Sequence, residues 1–268
     1  MAAAENCYDA AADLVRSAPA GQCAGTVISE DEAARIRQRR VNRIRQAMQV
    51  PPSPFPVSPT MRMKSVGTGF FVTRDGILIT NDHVVAGCTA LTAETSAGLS
   101  VPAKDIGHDR SDDLALLKIE QSVPVAAIFR DNDVEEGERV AAIGYPDQGM
   151  VSLRPVLAEG ALTTARQAQG HQLAFHADVR PGNSGGPLLD GGGLVIGVVF
   201  AKIDTVKTYQ ATGRVVRDVG FAISNQAVAR FLRGYHIARA TLPPGPGLSM
   251  AEVLARSSPF VVRIECWN

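Results

Sequence analysis

Ser184 stands in a glycine-rich turn, RPGNSGGPLLD at 180–190, that leads directly into an apolar run. Glycine loses more conformational freedom on folding than any other residue, so glycines clustered around one serine indicate a backbone shape that other residues do not adopt. Such a turn can direct neighbouring N–H groups towards one point, and Gly182, Asn183 and Ser184 are the candidates for an oxyanion hole. The Ser184 hydroxyl is then a candidate nucleophile. The alternative is a plain turn between two strands.

A nucleophilic serine needs a histidine base, and His83 is the best placed of the five histidines. It lies in GILITNDHVVAGC at 76–88, just beyond the end of an apolar run that would form a rigid strand. The other histidines lack this context; they are His108, His171, His176 and His236. His176 is closer to Ser184 along the chain but lies inside an apolar run. The alternative for His83 is an ordinary loop residue.

The third requirement is a carboxylate that orients the base, and Asp113 is the candidate. It lies in SDDLALLKI at 111–119, at the start of an alternating run, where its side chain could be buried beside the histidine. Asp112 is the nearest rival, and Asp105 and Asp109 are weaker ones. An isolated Asp before a strand is usually a turn residue, so Asp113 gains its meaning from the other two candidates.

Short apolar runs separated by Gly, Asp, Asn or Pro dominate the chain from about residue 63, and they predict β-strands. These runs are 66–72, 76–80, 91–95, 114–119, 139–145, 172–179, 194–203 and 219–224. No long helical pattern interrupts them before 224–235, which argues against alternating strands and helices. We therefore expect an all-β fold with short helical N- and C-terminal extensions.

The flanking segments have a different composition. Residues 30–48 predict a helix, with acidic residues at its start and arginines later, and the Pro-rich segment 51–59 then forms an extended linker. We expect an N-terminal extension at 1–59, a central domain at 60–236, and a C-terminal linker and tail at 237–268. The arginines of the helix are interpreted as a solvated face.

The four cysteines form no Cys-x-x-Cys pair, so a structural zinc site is not predicted. Two disulfides allow three connectivities, and we favour Cys7 with Cys23 and Cys88 with Cys266, because the termini otherwise have little to hold them. Four free thiols are the alternative. Disulfides would indicate a periplasmic or secreted protein. The opening residues do not resemble a signal peptide, so we expect such a segment to have been removed.

Charge and hydropathy narrow the class of function. Lys and Arg together number 27, as do Asp and Glu, so the net charge of zero argues against binding to nucleic acid or a membrane surface. No run is long enough to predict a transmembrane helix. We expect no metal and no organic cofactor. The sequence leaves the oligomeric state open.

Three motifs in this order resemble the trypsin-like serine proteases: TGFFVTRDGILITNDHVV at 68–85, DDLALLKI at 112–119 and RPGNSGGPLLD at 180–190. With AIGYP at 142–146 and VGFAIS at 219–224, they are more specifically similar to the bacterial Deg/HtrA branch. The resemblance covers roughly residues 63–235.

This resemblance implies two six-stranded antiparallel β-barrels, at about 60–123 and 124–224, with an active site between them. His83 and Asp113 would come from the first barrel and Ser184 from the second. The position next to LALLKI assigns the family role to Asp113 rather than Asp112. The implied activity is that of a serine endopeptidase acting on a protein or peptide.

The resemblance leaves substrate preference open. Asp178 stands six residues before Ser184, where a buried carboxylate would favour a basic P1 residue. Deg/HtrA proteins generally prefer small aliphatic residues, in which case Asp178 would face solvent or pair with Arg180. Gly220, Phe221 and Ala222 are expected to form a pocket wall and a strand that pairs with the substrate.

The sequence also departs from the family pattern. Deg/HtrA proteins usually carry PDZ domains, and the residues after the last predicted helix are too few for one. The sequence contains no Ile-Val-Gly-Gly activation site. Two other interpretations therefore stay open: a catalytically silent domain that binds peptides or a protein partner, and a protease held in a latent state.

Overall fold

The computed structural model describes residues 4–9, 14–48, 61–95, 98–146, 154–167, 171–202 and 218–268. The chain divides into two compact units, residues 1–54 and 55–268. The predicted linker at 51–59 lies outside the described residues. The domain boundaries expected at 59/60 and 236/237 stay predictions.

The first unit contains a small sheet and one long helix. Its strands are β1 (Ala4–Asp9), β2 (Leu14–Pro19) and β3 (Thr26–Ile28), with β1 in the centre, and its helix is α1 (Glu30–Met48). Ser29 begins the helix by accepting a hydrogen bond from the Glu32 amide (3.2 Å). A disulfide joins Cys7 of β1 to Cys23 in the segment between β2 and β3.

The second unit begins with a curled antiparallel sheet. The strands that the chain contributes here are β4 (Met63–Phe71), β5 (Ile77–Thr80), β6 (Ala90–Thr95), β7 (Ser100–Pro102), β8 (Lys104–Asp109) and β9 (Leu114–Lys118). One helical turn, α2 (Asp82–Val85), follows β5 and carries His83.

A closed barrel follows in the sequence. Its six strands are β11 (Arg139–Gly144), β12 (Val156–Gln167), β13 (Gln172–His176), β14 (Pro187–Asp190), β15 (Val195–Lys202) and β16 (Val219–Ser224). They run in the order β14-β11-β12-β13-β16-β15, and a β14–β15 pairing closes the ring. The short strand β10 (Ile128–Arg130) joins β15 in parallel.

The C-terminal residues return to the first sheet. After β16 the chain forms α3 (Asn225–Gly234), β17 (Ala240–Leu242), α4 (Met250–Ser257), a 3₁₀ turn (Ser258–Phe260) and β18 (Val261–Trp267). β18 pairs with both β4 and β6, so the sheet runs β7-β6-β18-β4-β5-β9-β8. A disulfide from Cys88 to Cys266 fixes this strand. The segment expected to be a linker and tail therefore supplies a central strand.

Successive side chains of β11 point to opposite faces of the sheet and so belong to two different hydrophobic clusters. In β11, Val140 and Ala142 pack inside the closed barrel, whereas Ala141 and Ile143 join the larger cluster that extends into the first sheet. The two sheets therefore share one core across their interface. The predicted all-β fold of two trypsin-like barrels is confirmed, with the difference that the first is a curled seven-stranded sheet that includes β18.

Candidate active site

Asp113 and His83 are joined by two hydrogen bonds. The Asp113 carboxylate lies 2.7 Å from His83 Nδ1 with one oxygen, and its other oxygen accepts the His83 backbone N–H at 3.0 Å. The Asp113 carbonyl accepts a hydrogen bond from the Asn81 side chain at 2.8 Å. Because both the ring and the backbone of His83 meet the same carboxylate, the orientation of the imidazole is fixed with Nε2 left for other contacts.

Asp113 holds this position in a left-handed backbone conformation, with φ of 50°. This region is uncommon for residues other than glycine, although Asp tolerates it better than most. Such conformations persist where surrounding contacts determine them, and here the turn that carries His83 supplies those contacts.

The rival carboxylates lie elsewhere. Asp112 is 3.0 Å from His171 Nδ1 and 3.7 Å from an Arg230 nitrogen. Asp105 meets His108, and Asp109 accepts hydrogen bonds from the turn that follows it. Of the four candidates, the structure brings Asp113 alone to His83 among the described residues.

The serine loop begins with a tight turn at Arg180. The Asn183 amide donates to the Arg180 carbonyl at 3.0 Å, Pro181 stands at the second position, and Gly182 follows with φ of 94°. These are the features of a type II turn, whose third position requires a positive φ and therefore glycine.

This turn leaves two amides available. The N–H groups of Asn183, Gly185 and Gly186 donate to carbonyls, whereas those of Gly182 and Ser184 donate to no acceptor within the described residues. An oxyanion hole requires unbonded amides beside the nucleophile, and these two meet that condition. Asn183 was expected to contribute to the oxyanion hole, but its amide and its side chain both form hydrogen bonds with the backbone of Arg180. Its amide is therefore not available to an anion.

The segments that carry Ser184 and His83 both lie against Gly67 of β4. A Cβ placed at Gly67 would lie 2.6 Å from Val84, which follows His83, and 3.2 Å from the Ser184 carbonyl. The Ser184 hydroxyl donates to the Phe200 carbonyl at 3.5 Å, and no hydrogen bond joins it to His83 in the part of the chain that is described. The two segments thus meet at Gly67, without a hydrogen bond between the Ser184 and His83 side chains among the described residues.

Thr68 is a residue of this site that the sequence analysis missed. It is fully buried in β4; its amide donates to the Ser184 carbonyl at 2.8 Å and its hydroxyl donates to the Gly182 carbonyl at 2.6 Å. The same hydroxyl accepts the Tyr145 amide at 3.0 Å. One threonine of the first sheet therefore holds both ends of the serine turn. A polar residue inside the apolar run VGTGFFV was the available signal.

Asp178 does not lie at the base of a pocket. Its side chain is 55% exposed and forms a bidentate pair with Arg180, with the shortest contact at 2.6 Å. This pairing raises the pKa of the Arg180 guanidinium. The buried carboxylate that would select a basic P1 residue is therefore not supplied by Asp178, because it faces solvent and is already paired.

Gly220, Phe221 and Ala222 lie on β16, which has β13 on one side and β15 on the other. An interior strand has no free edge, so these residues cannot pair with a substrate strand as expected. They do line the interior: Ala222 is buried, and the Phe221 ring lies 6.3 Å from that of Phe200.

The available edge belongs to β15. Its last pair with β14 joins Val198 to Pro187, and β15 continues to Lys202 with no second partner among the described strands. This edge begins at Phe200, the residue whose carbonyl meets the Ser184 hydroxyl. The strand with a free edge is thus the neighbour of the one expected from the sequence, because the residue pattern of a strand does not reveal which strands it pairs with.

No helix in the described ranges is long and apolar enough to cross a membrane. The described residues also contain no cluster of His, Cys, Asp and Glu arranged to hold a metal ion.

A family model described as a trypsin-like peptidase domain matches residues 67–198, which include the histidine, aspartate and serine described above. The chain contains a trypsin-like peptidase domain. The resemblance to this family, expected from the three motifs, is confirmed.

Relatives of this peptidase domain include proteases of the HtrA type. An uncharacterized protein, y4bJ, of Sinorhizobium fredii is 37% identical over 75% of this chain and 32% of its own length. Serine protease HTRA1 of Xenopus tropicalis is 34% identical over 65% of this chain and 37% of its own length. A probable periplasmic serine endoprotease, DegP-like, of Chlamydia pneumoniae is 32% identical over 66% of this chain and 36% of its own length. The chain thus spans about a third of the length of these relatives.

Solved structures agree with the peptidase fold. The Rv3671c protease in its inactive form is 28% identical, with a TM-score of 0.52, and the match covers 65% of this chain and 86% of that chain. The HtrA-type protease AlgW with a decapeptide is 27% identical, with a TM-score of 0.53, over 63% of this chain and 50% of that chain.

Proposed function

We propose that the chain is a serine endopeptidase that hydrolyses peptide bonds through an acyl-enzyme intermediate. Ser184 is the nucleophile, His83 accepts its proton and passes it to the leaving amine, and Asp113 orients and stabilises the imidazolium. The amides of Gly182 and Ser184 bind the oxyanion. The observation that carries the proposal is the double contact of the Asp113 carboxylate with His83, made beside the turn that holds Ser184.

The proposed substrate is an extended polypeptide. Its backbone would pair with the free edge of β15 from Phe200 onwards, next to the nucleophile. We propose a preference for small aliphatic P1 residues, since Asp178 is paired at the surface and the ring of Phe221, the proposed pocket wall, lies 6.3 Å from that of Phe200. The HtrA-type protease AlgW, half of whose chain is matched, has been solved with a decapeptide.

The protein is proposed to act in the periplasm or outside the cell. Both disulfides would be reduced in an ordinary cytosol, and the DegP-like relative is described as periplasmic.

A latent peptidase is the second candidate, and one observation favours it. The Ser184 hydroxyl points to the Phe200 carbonyl rather than to His83. Catalytic hydrogen bonds are often long or unformed without substrate, so this geometry is compatible with an active enzyme as well.

The test is intact-mass measurement after reaction with a fluorophosphonate, whose phosphorus is attacked by an activated serine with loss of fluoride. We expect one adduct on the wild type, none on Ser184→Ala and strongly slowed labelling on His83→Ala. His176→Ala is the matched control, because this exposed histidine makes no side-chain hydrogen bond or ion pair within the described residues, and it should label like the wild type. A folded wild type without an adduct would favour a latent or silent domain.

Hydrolysis is tested separately with an unfolded protein substrate. The proposal expects internal cleavage by the wild type and none by Ser184→Ala. Cleavage after small aliphatic residues would support the P1 preference, and cleavage after Arg or Lys would reject it.

A further inference from the structure

A cavity lies away from the serine turn, between β10, the residues that follow it and the start of α3. Its volume is about 380 Å³, which is within the usual range for small-molecule sites. Four arginines line it: Arg130, Arg230, Arg233 and Arg239. Neither Ser184, His83 nor Asp113 is among its lining residues.

Arg130 forms a buried part of the cavity wall, and nearby carboxylates neutralise its charge. Arg130 is 7% exposed, forms an ion pair with Glu138 and lies 3.7 Å from Asp190. Its Nε also donates to Asn132 at 2.7 Å. Arg130 therefore shapes the cavity but has little charge to offer a ligand.

Arg233 and Arg239 differ from Arg130 in this respect. Neither has a carboxylate within ion-pair distance among the described residues. Arg239 donates to the Asn225 side chain at 3.0 Å, and its guanidinium lies 5.2 Å from the centre of the Phe129 ring. Burial, and after it the positive charge of Arg233, lower the pKa of Arg239, so two like charges act on one another here.

The helix α3 adds to this positive region. Ser224, Asn225 and Gln226 line the cavity and form the beginning of the ten-residue helix. The N-terminus of a helix carries a partial positive charge and unbonded amides, which favour an anion.

Two carboxylates also line the cavity. Asp133 accepts a hydrogen bond from Gln226 at 3.0 Å, and Asp131 lies two residues before it in the chain. They favour a ligand that carries hydroxyl or amine donors in addition to its anionic group. An inorganic ion alone would use only part of the cavity.

We propose that this cavity binds a small organic molecule that carries a phosphate or carboxylate group, with Arg233 and Arg239 as the principal partners of the anion. A guanidinium presents paired donors that match both groups, so the geometry defines their shared chemistry. The inference does not depend on the proposed peptidase activity.

The test uses the whole, disulfide-bonded chain and isothermal titration calorimetry with two probes, glycerol phosphate and citrate, in buffers matched for ionic strength with sodium chloride. We expect saturable binding of at least one probe. Binding of glycerol phosphate alone assigns the site to phosphate esters, and binding of citrate alone assigns it to carboxylates. Saturable binding of neither probe overturns the proposal.

Two variants locate the binding. Arg233→Gln and Arg239→Gln should each weaken the affinity by tenfold or more. Arg74→Gln is the matched control, because Arg74 is exposed in the turn between β4 and β5 and does not line the cavity, and it should bind like the wild type. Arg233 is exposed and makes no side-chain hydrogen bond within the described residues, so its variant should fold even if that of Arg239 does not. Unchanged affinity in Arg233→Gln overturns the proposal.

Discussion

The role proposed for the Asp113 carboxylate follows from the groups it contacts and not from its residue type. It stands beside Asp112, has the same chemistry, and differs only in its direction: Asp113 meets His83, and Asp112 meets His171. A positive φ at Asp113 provides that difference in direction. The turn thus sends two adjacent carboxylates to two different histidines.

This difference predicts unequal effects of two matched substitutions. Asp113→Asn should lower kcat by about four orders of magnitude, because the amide no longer orients and stabilises the His83 ring in the required protonation state. Asp112→Asn should retain kcat within about tenfold, since that carboxylate does not touch His83. The measurement is peptide hydrolysis by each folded variant. Equal losses in both would contradict the assignment of Asp113.

Thr68 is a positioning residue, and its prediction follows from its hydroxyl. Thr68→Val keeps the shape but leaves the Gly182 carbonyl and the Tyr145 amide without their partner. We expect kcat to fall by about a hundredfold, because small displacements of catalytic groups are costly, while KM changes little. Thr68→Ser should restore most of the activity. A loss of stability with unchanged kcat would limit Thr68 to a structural role.

At the scale of elements, β18 links the C-terminus to the first sheet. It lies between β4 and β6 and ends at the Cys88–Cys266 disulfide, which joins residues 178 apart in sequence. Cys88 follows α2, the turn that carries His83, so the same bond ties the C-terminal strand close to the candidate base.

The two disulfides should therefore contribute unequally to the free energy of unfolding of the second unit. Replacing Cys88 and Cys266 by Ser should lower its free energy of unfolding by about 2–5 kcal/mol, since a cross-link over a long loop restricts the unfolded chain strongly. Replacing Cys7 and Cys23, which are 16 residues apart within the first unit, should leave the midpoint of the second unit unchanged. Urea unfolding under oxidising conditions tests this, and equal shifts in both double variants would reject it.

At the scale of the whole molecule, β18 brings a largely buried set of ion pairs into the first sheet. Arg263 on this strand forms ion pairs with Glu265 at 2.6 Å and with Glu94 of β6. One guanidinium thus serves two carboxylates in a largely buried place. Burial, with the negative charge of Glu265, raises the pKa of Glu94 although Arg263 acts in the opposite direction.

The raised pKa predicts a pH dependence of stability. The folded protein retains the Glu94 proton to a higher pH than the unfolded chain, so the contribution of Glu94 to stability is lost as pH rises from about 4.5 through the folded pKa. Glu94→Gln should remove this decline, and its stability relative to wild type should increase between pH 4 and pH 7. Urea unfolding at several pH values measures it.

Glu120→Gln is the control with the opposite sign. A hydrogen bond from Lys104 lowers the pKa of the exposed Glu120, so its small contribution is present at neutral pH and is lost as pH falls. Parallel pH profiles for the two variants would contradict the interpretation of Glu94.

The sequence alone was sufficient for features that depend on neighbouring residues. Strand alternation, the glycines around Ser184 and the acidic start of α1 are local patterns, and they predicted the all-β fold, the helix at 30–48 and the position of the serine turn. The order of three such motifs was also enough to predict the family, because each motif is itself local.

Only the tertiary structure decided which distant groups meet. It placed β16 inside the barrel and inserted β18 between β4 and β6. Each of these outcomes depends on strand register and on which edges remain open, and neither is encoded by periodicity along a single strand. Partner choice is a property of the assembled sheet, since the free energy of each pairing depends on everything packed against it.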